Sequence, residues 1–141
     1  MSSEVTIMLE AFAEALVERE EEDVRGALAE WLREPEGAER LLSELRDAEK
    51  QFLLDHDLDE GGIGGFEIDE ETRSKWSLRT LRRDSDGVPD EVTEDNYVGT
   101  YSMQAIGDED SDYVQFFTLL VAVVVEDGDY YVGHYELIEA E

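Results

Sequence analysis

The stretch that decides the fold is YVQFFTLLVAVVV, from Tyr113 to Val125. Its apolar residues are not confined to alternate positions, and β-branched and aromatic residues dominate it. This pattern is typical of a strand that is buried on both faces. Such a strand needs a cover on each side. We expect helices on one side and, on the other, the interior of a pocket, the opposite wall of a curved sheet, or a second subunit.

Two further strands flank this stretch. YVGTYSMQAI (Tyr97–Ile106) precedes it and YYVGHYELIE (Tyr130–Glu139) follows it, with an Asp127-Gly128 hairpin signal before the last strand. GGIGGFEID turns strand-like at Phe66 and Ile68. We therefore predict a meander of antiparallel strands between about residues 63 and 139.

The part of the chain before the strands has helical spacing of its apolar residues. We expect helices at about Ser3–Arg19, Glu21–Arg33 and Ala38–Asp55, within residues 3–56. Amphipathic helices of this length must cover another layer. The sequence predicts one α+β domain over residues 1–141, with N-terminal helices packed on a strongly curved antiparallel sheet, a cone-shaped α+β roll.

Two segments inside the strand-rich part are less regular. KWSLRTL, around Trp76, alternates loosely, and we expect a strand or an irregular segment there. DSDGVPDEVTEDN, around Pro89, is predicted to be a long polar loop.

The composition is extremely acidic, with 39 acidic residues against 11 basic ones and a net charge of −28. No basic stripe is present, so we expect no binding to nucleic acid. The absence of cysteine excludes disulfides and thiolate-ligated metals. No apolar run is long enough for a membrane span, and we expect a cytoplasmic protein that does not contact a membrane. The acidity indicates either adaptation to a salty cytoplasm or an acidic surface that imitates nucleic acid or neutralises a basic partner.

Two stretches carry a family resemblance. MLEAFAEALVEREEEDVRGALAEWL (Met8–Leu32) and FTLLVAVVVEDGDYYVGHYELIE (Phe117–Glu139) resemble the opening helices and the closing hairpin of the nuclear transport factor-like superfamily, a group with a cystatin-like α+β roll. Ketosteroid isomerases and polyketide cyclases of the SnoaL type belong to it, and the middle of the chain resembles a branch with no assigned activity. The resemblance implies a cone-shaped fold and leaves the chemistry open, because the isomerase motif does not carry over.

Aromatic residues and one histidine form the candidate ligand pocket. Their polar tips are suited to orienting a ligand, and the alternative is core packing or a dimer interface. The candidate pocket residues are Trp31, Trp76, Tyr97, Tyr101 and His134. His134 is either a general base that lines the cone or a histidine hydrogen-bonded at a sheet face. No residue is assigned a catalytic role.

Other patterns are weaker. Asp55, Asp57 and Asp59 begin like an EF-hand loop, but neither register has both the required glycine and glutamate. A looser calcium or magnesium site is the alternative to a solvated helix end, and we expect no metal and no cofactor. The glycines of GGIGG lack the residues of a phosphate loop. Arg79, Arg82 and Arg83, with Arg73 and Lys75 nearby, form a basic cluster. We expect it to pair with the chain's own carboxylates, and the alternative is that it holds an anion or an acidic partner face.

Three functional hypotheses follow. The first is a non-catalytic protein that binds a small apolar ligand or a protein partner in a salt-adapted host. The second is an isomerase- or cyclase-like enzyme that uses acid/base chemistry in the cone, and the third is an acidic inhibitor or immunity-type protein. We also expect a homodimer formed through the sheet, because the Phe116–Val125 strand has more apolar surface than one helix layer covers.

Overall fold

The computed structural model describes residues 3–33, 37–55, 63–69, 76–85, 87–107 and 115–139. These residues form an α+β fold in which helices come first and an open four-stranded antiparallel sheet follows, so the predicted fold class is confirmed. The elements are α1 (Ser3–Glu18), α2 (Glu21–Ala27), α3 (Glu30–Arg33), α4 (Gly37–Asp55), β1 (Ile63–Asp69), α5 (Leu78–Asp84), β2 (Tyr97–Gly107), β3 (Gln115–Glu126) and β4 (Asp129–Glu139).

The turn between α1 and α2 fixes how these two helices meet. Arg19 has a φ of 58°, the left-handed conformation that glycine usually supplies after a helix. The backbone N–H of Glu20 donates to the carbonyl of Ala15 over 3.0 Å, which is the hydrogen bond of a Schellman motif. Arg19 also pairs with Glu49 of α4 over 3.1 Å. The chain therefore reverses within two residues, and α2 packs beside α1.

The predicted second helix is interrupted. Instead of one helix over Glu21–Arg33, α2 ends at Ala27 and α3 begins at Glu30. Leu28 is extended and forms an isolated parallel bridge with Val132 of β4, and the N–H of Ala29 donates to the Val132 carbonyl over 2.8 Å. Both intervening residues are buried. At Leu28 and Ala29, a backbone hydrogen bond to the sheet replaces hydrogen bonds within the helix. The helical spacing of apolar residues does not reveal this interruption.

The sheet runs in chain order, β1-β2-β3-β4, and every neighbouring pair is antiparallel. Asp127 and Gly128 form the turn between β3 and β4, with φ angles of 51° and 86°. Two successive positive φ angles are those of a type I′ turn, so the predicted hairpin is confirmed. The pairing shifts register between Ala122 and Val123, where β4 carries an extra residue, Gly133.

Strand β3 is buried on both faces, as its sequence predicts. Every residue from Leu119 to Val124 is buried. The helix-facing side chains of β3 pack with those of α1, α2 and α4. The largest fully buried members of this helix-side cluster are Leu9, Phe12, Leu28, Leu41, Met103, Phe117 and Leu119.

The opposite face of the sheet is covered by the same chain. Ala122 and Val124 of β3 pack with Leu78 and Leu81 of α5 and with Val92, which lies in the loop after α5. The prediction of a strand or irregular segment at KWSLRTL is wrong, because α5 is a helix. Ser77 caps it by accepting a hydrogen bond from the Thr80 N–H over 3.2 Å. The long loop is confirmed over its described residues.

This cover changes the argument for a homodimer. The prediction depended on apolar surface of β3 that one helix layer leaves open. In the structure, α5 and Val92 close the second face at Ala122 and Val124. The homodimer stays a prediction, and these two residues no longer support it.

Candidate functional site

The five predicted pocket residues lie on two sides of the sheet. Tyr101 of β2 is 3% exposed and belongs to the helix-side cluster. Trp31, Trp76 and Tyr97 pack against the cluster formed by α5 and the opposite face. His134 lies across from Ala122, which belongs to that same opposite face. The structure therefore brings four of the five together and separates Tyr101 from them by the thickness of the sheet.

The polar atoms of two of these aromatic residues bond to neighbouring parts of the chain. The indole Nε1–H of Trp31 donates to the carbonyl of Gly133 over 2.8 Å. The Tyr97 hydroxyl lies 2.6 Å from the hydroxyl of Thr100, which is fully buried. Burial raises the pKa of Tyr97 above its ordinary value. Trp31 thus joins α3 to β4, whereas the contact of Tyr97 lies within β2.

His134 takes part in a buried hydrogen-bonded cluster with Ser85 and Glu136. The Ser85 hydroxyl donates to Oε2 of Glu136 over 2.6 Å and lies 2.9 Å from Nε2 of His134. Ser85 is 3% and His134 8% exposed. Ser85 has one hydroxyl proton, and that proton is used in the hydrogen bond to Glu136. Ser85 can therefore only accept from His134, so Nε2 of His134 is protonated and donates to Ser85.

The charge state of this cluster follows from its burial. Burial lowers the pKa of His134, and the negative charge of Glu136 offsets only part of that effect. His134 is therefore neutral at neutral pH, with its proton on Nε2. Because that proton points at Ser85, Nε2 is not free to act as a base towards the serine. The arrangement ties the end of α5 to β4 and does not reproduce a catalytic triad.

Sequence reasoning identified His134 and missed Ser85. Ser85 lies 49 residues earlier in the chain. No local motif marks it, and a Ser, a His and a Glu at this separation are common in any chain. Ser85 and His134 meet because α5 packs on the sheet. From the sequence alone, a strand or an irregular segment is expected in place of α5, so this contact is not predicted.

A groove of about 470 Å³ lies between α1 and α2. Its floor is apolar and consists of Met8, Ala11, Phe12, Ala15 and Ala27. Phe12 and Ala15 are at most 5% exposed, whereas Ala11 is exposed and Met8 and Ala27 are partly exposed. The floor is therefore backed by the core and open towards solvent.

The rim of this groove is acidic. Glu14 and Glu18 of α1 lie on one side, and Asp23 of α2 lies on the other, all three exposed. The groove lining includes neither lysine nor arginine. Helical spacing places Ile7, which is 63% exposed, one turn before Ala11 on the same face of α1. An apolar floor is thus flanked by negative charge. The sequence signal for it is the helical apolar stripe of α1, one edge of which remains uncovered.

A second recess lies between α1, α4 and β1. Its volume is about 20 Å³, and Leu16, Leu45 and Phe66 contribute to its walls. A space of that size holds about one water molecule. It is too small for the apolar ligand that the first hypothesis requires.

The described part of the structure adds no set of ligands for the metal site considered from the sequence. Within the described ranges, no three His, Cys, Asp or Glu side chains converge into a group that holds a metal ion. Of the EF-hand-like aspartates, Asp57 and Asp59 lie outside the described residues, as does the other histidine, His56. No helix among the described residues is long and apolar enough to cross a membrane.

Two of the three arginines of α5 bond within the chain, as predicted for them, whereas Arg73 and Lys75 lie outside the described residues. Arg83 pairs with Asp84 over 2.9 Å. Arg82 donates to the Val92 carbonyl and lies 4.0 Å from Asp90. Arg82 thereby holds the loop after α5 close to the helix.

Comparison with known proteins adds no identification. No protein-family model, no curated protein and no solved structure matches the chain. The function is therefore inferred from the geometry of the described residues alone.

Proposed function

We propose that this chain is a non-catalytic binding protein whose ligand is another protein. The observation that carries the proposal is the open groove between α1 and α2, with its apolar floor and acidic rim. Exposed apolar surface that is bordered by charge is typical of a protein-interaction site. An acidic inhibitor that covers a basic partner is a special case of the same proposal.

Binding in the interior has less support. Between helices and sheet, apolar side chains such as Phe12, Phe117 and Leu119 contact one another and are at most 1% exposed. A ligand-binding cone requires open space at this place. The acid/base hypothesis requires His134 or a carboxylate to face a substrate, and His134 instead donates to Ser85. The structure therefore supports ligand binding in the α1–α2 groove better than ligand binding between the helices and the sheet.

Native mass spectrometry of the chain, purified gently from its own cells, tests the proposal. We expect a complex whose extra mass is that of a protein in fixed ratio to the chain. Crosslinking should place that protein on α1 and α2. A mass increment of a few hundred daltons would instead indicate a small ligand, and the chain alone or as a plain homodimer would contradict the proposal.

We also propose that the chain works in a salt-rich cytoplasm. Exposed acidic residues occur on every helix and not on one face only: Glu4, Asp23, Glu30, Glu39 and Asp84 are examples. Such a distribution loads the folded state with self-repulsion, which salt screens within about 10 Å at 0.1 M and about 3 Å at 1 M. We expect the free energy of unfolding to rise steadily as KCl is added up to molar concentrations. A value that does not change with KCl would contradict salt adaptation.

Membership of the nuclear transport factor-like superfamily stays a proposal. The packing of the N-terminal helices on one face of an antiparallel sheet supports it. An experimental structure that matches a member of that superfamily would test it directly.

A further inference from the structure

We infer that the groove between α1 and α2 binds a basic amphipathic helix of the partner protein. The inference rests on the proposed function and specifies its site and its partner. It follows from the shape, the floor and the charge of the groove, taken in turn.

The shape fits a helix. The lining of the groove on α1 runs from Met8 to Glu18, which is about 15 Å along the helix axis and about three helical turns. The floor side chains that are open to solvent are Ala11 and Ala27, which are small, and Met8 at one end, with the buried Ala15 between them. Beside them, Gly26 has open space where a side chain would begin. Small residues let the ridge of a packing helix approach closely, and methionine adapts to its shape.

The backbone of α1 and α2 gives a second reason. Apart from the helix ends, the N–H and C=O groups of a helix are used within it. Along the middle of α1, an added β-strand would therefore find no free backbone partners, and at the end of α2 the side chain of Arg33 already bonds to the carbonyls of Arg25 and Gly26. A common mode of peptide recognition on an apolar helical surface is a helix laid in a groove. The occupant therefore presents an apolar stripe at helical spacing.

The rim decides the charge of the occupant. Glu14 and Glu18 stand on one side of the floor and Asp23 on the other. A helix that fills the groove brings its flanking residues next to these carboxylates, so lysine or arginine at those positions is attracted and acid is repelled. Anionic lipid and nucleic acid are disfavoured for the same reason.

A second copy of this chain is also a poor occupant. The chain has a net charge of −28, and the long helices α1 and α4 have exposed acids on their surfaces, among them Glu10, Glu39 and Asp47. The long helices of a second copy would place acid against the acidic rim. The basic helix α5 is not available as an occupant either, because its apolar side chains Leu78 and Leu81 are buried against the sheet of its own chain. The complement of this groove is a different protein.

A synthetic peptide tests the inference. It forms a helix of about four turns, with a stripe of leucine and alanine flanked by lysine and arginine. One control peptide keeps the stripe and replaces the basic residues by glutamate, and another keeps the composition and scrambles the stripe. Binding is measured by fluorescence anisotropy against the full chain in KCl that keeps the chain folded. We expect the basic amphipathic peptide to bind and both controls to bind at least about tenfold more weakly.

Two variants with the same charge change locate the site. Ala11→Arg places a long cationic side chain on the groove floor, and Ser43→Arg adds the same charge on the exposed face of α4. Arginine is a good helix former, so both variants should keep the circular dichroism spectrum of the parent chain. We expect Ala11→Arg to weaken peptide binding about tenfold or more and Ser43→Arg to change it by less than about twofold. Equal effects would show diffuse charge attraction and overturn the inference.

Two double variants with smaller changes test the rim even if Ala11→Arg does not fold. Glu14→Gln with Glu18→Gln removes two rim charges, and Glu10→Gln with Asp47→Asn removes two charges elsewhere on exposed helix surface. We expect the rim pair to slow association more than the control pair, because rim charges attract the basic peptide. No difference between the pairs would count against the assigned role of the rim.

The failures of the two proposals are distinguishable. A native protein complex that survives Ala11→Arg, together with no peptide binding, would overturn this inference and leave the proposed function in place. No peptide binding and no native protein complex would overturn both. A dimer that Ala11→Arg dissociates would assign the groove to a second copy and contradict the inference.

Discussion

The two faces of the sheet are buried by different means. The helix-facing side is covered by three helices, which form the larger apolar cluster with it. The opposite side has a smaller apolar cluster around Leu81 and Val124, supplemented by polar links such as Trp31 to Gly133 and Ser85 to His134 and Glu136. The burial of apolar surface stabilises both sides, and on the second side a few specific hydrogen bonds add to it. This difference predicts how the two sides respond to substitution.

The largest effect is expected on the helix-facing side. Phe12→Ala removes a large side chain that is 1% exposed and leaves a cavity in the main core. We expect the free energy of unfolding to fall by about 3–5 kcal/mol. Denaturant unfolding in molar KCl measures it. Ile7→Ala, on the exposed face of the same helix, should cost less than about 0.5 kcal/mol. If the two variants lose the same amount, Phe12 does not belong to the core described above.

The next effect tests the cover of the opposite side. Leu81→Ala removes a side chain that is 1% exposed from a smaller cluster, and we expect a loss of about 2–4 kcal/mol in unfolding free energy. Arg79→Ala, on the exposed face of α5, is the control and should change it by less than about 0.5 kcal/mol. Amide hydrogen exchange of Val124 should accelerate in Leu81→Ala. Unchanged exchange would show that α5 contributes nothing to covering β3.

A smaller effect tests the polar links. Trp31→Phe keeps a large aromatic ring and removes the only donor of its indole, so the carbonyl of Gly133 loses that partner. We expect a loss of about 1–3 kcal/mol in unfolding free energy. Glu30→Gln, at the exposed neighbouring position, is the control and should be nearly neutral. Should Trp31→Phe prove as stable as the parent, the link to Gly133 is not a stabilising one.

The smallest effect is the dependence on pH. Burial holds the pKa of His134 below its ordinary value of about 6.5, so the unfolded chain takes up the proton first as the pH falls. The contribution of neutral His134 to stability is complete above pH about 6.5 and is lost as the pH falls through the lower pKa of the folded state. In His134→Gln, an amide nitrogen can still donate to Ser85 without titrating. The parent should lose more stability than this variant between neutral and mildly acidic pH, and parallel curves would contradict the assignment.

Much of the architecture was readable from local patterns. The apolar stripes of α1 and α4 and the unbroken apolar run of β3 each fix an element, because periodicity and burial act within a single segment. The hairpin at Asp127 and Gly128 was readable for the same reason, since two successive positive φ angles favour this pair of residues. The limit appears where one element depends on another. Leu28 leaves its helix because a bulge in β4, more than a hundred residues later in the chain, presents the Val132 carbonyl to Ala29.

The site was less predictable than the fold. Trp31, Trp76, Tyr97 and His134 do share one face, but the register that sends Tyr101 to the other face comes from strand pairing. The helix α5 had a readable signal in the cap at Ser77 and in the spacing of Leu78 and Leu81, which the loose alternation of the segment obscured. For the α1–α2 groove, the apolar stripe of α1 was the only sequence signal, and it does not predict a groove, because the angle between two helices decides whether an apolar stripe is covered.

The bulge in β4 has a consequence for the fate of the molecule at high concentration. β4 is an edge strand, and edges invite the addition of foreign strands. Glycine is required at the bulge, since a methyl group on Gly133 would lie 2.6 Å from Val124. There, Ala29 and Trp31 already occupy the carbonyls of Val132 and Gly133. Electrostatic repulsion between copies fades in brine, whereas these two hydrogen bonds persist, so this part of the β4 edge stays closed to a foreign strand at any salt concentration.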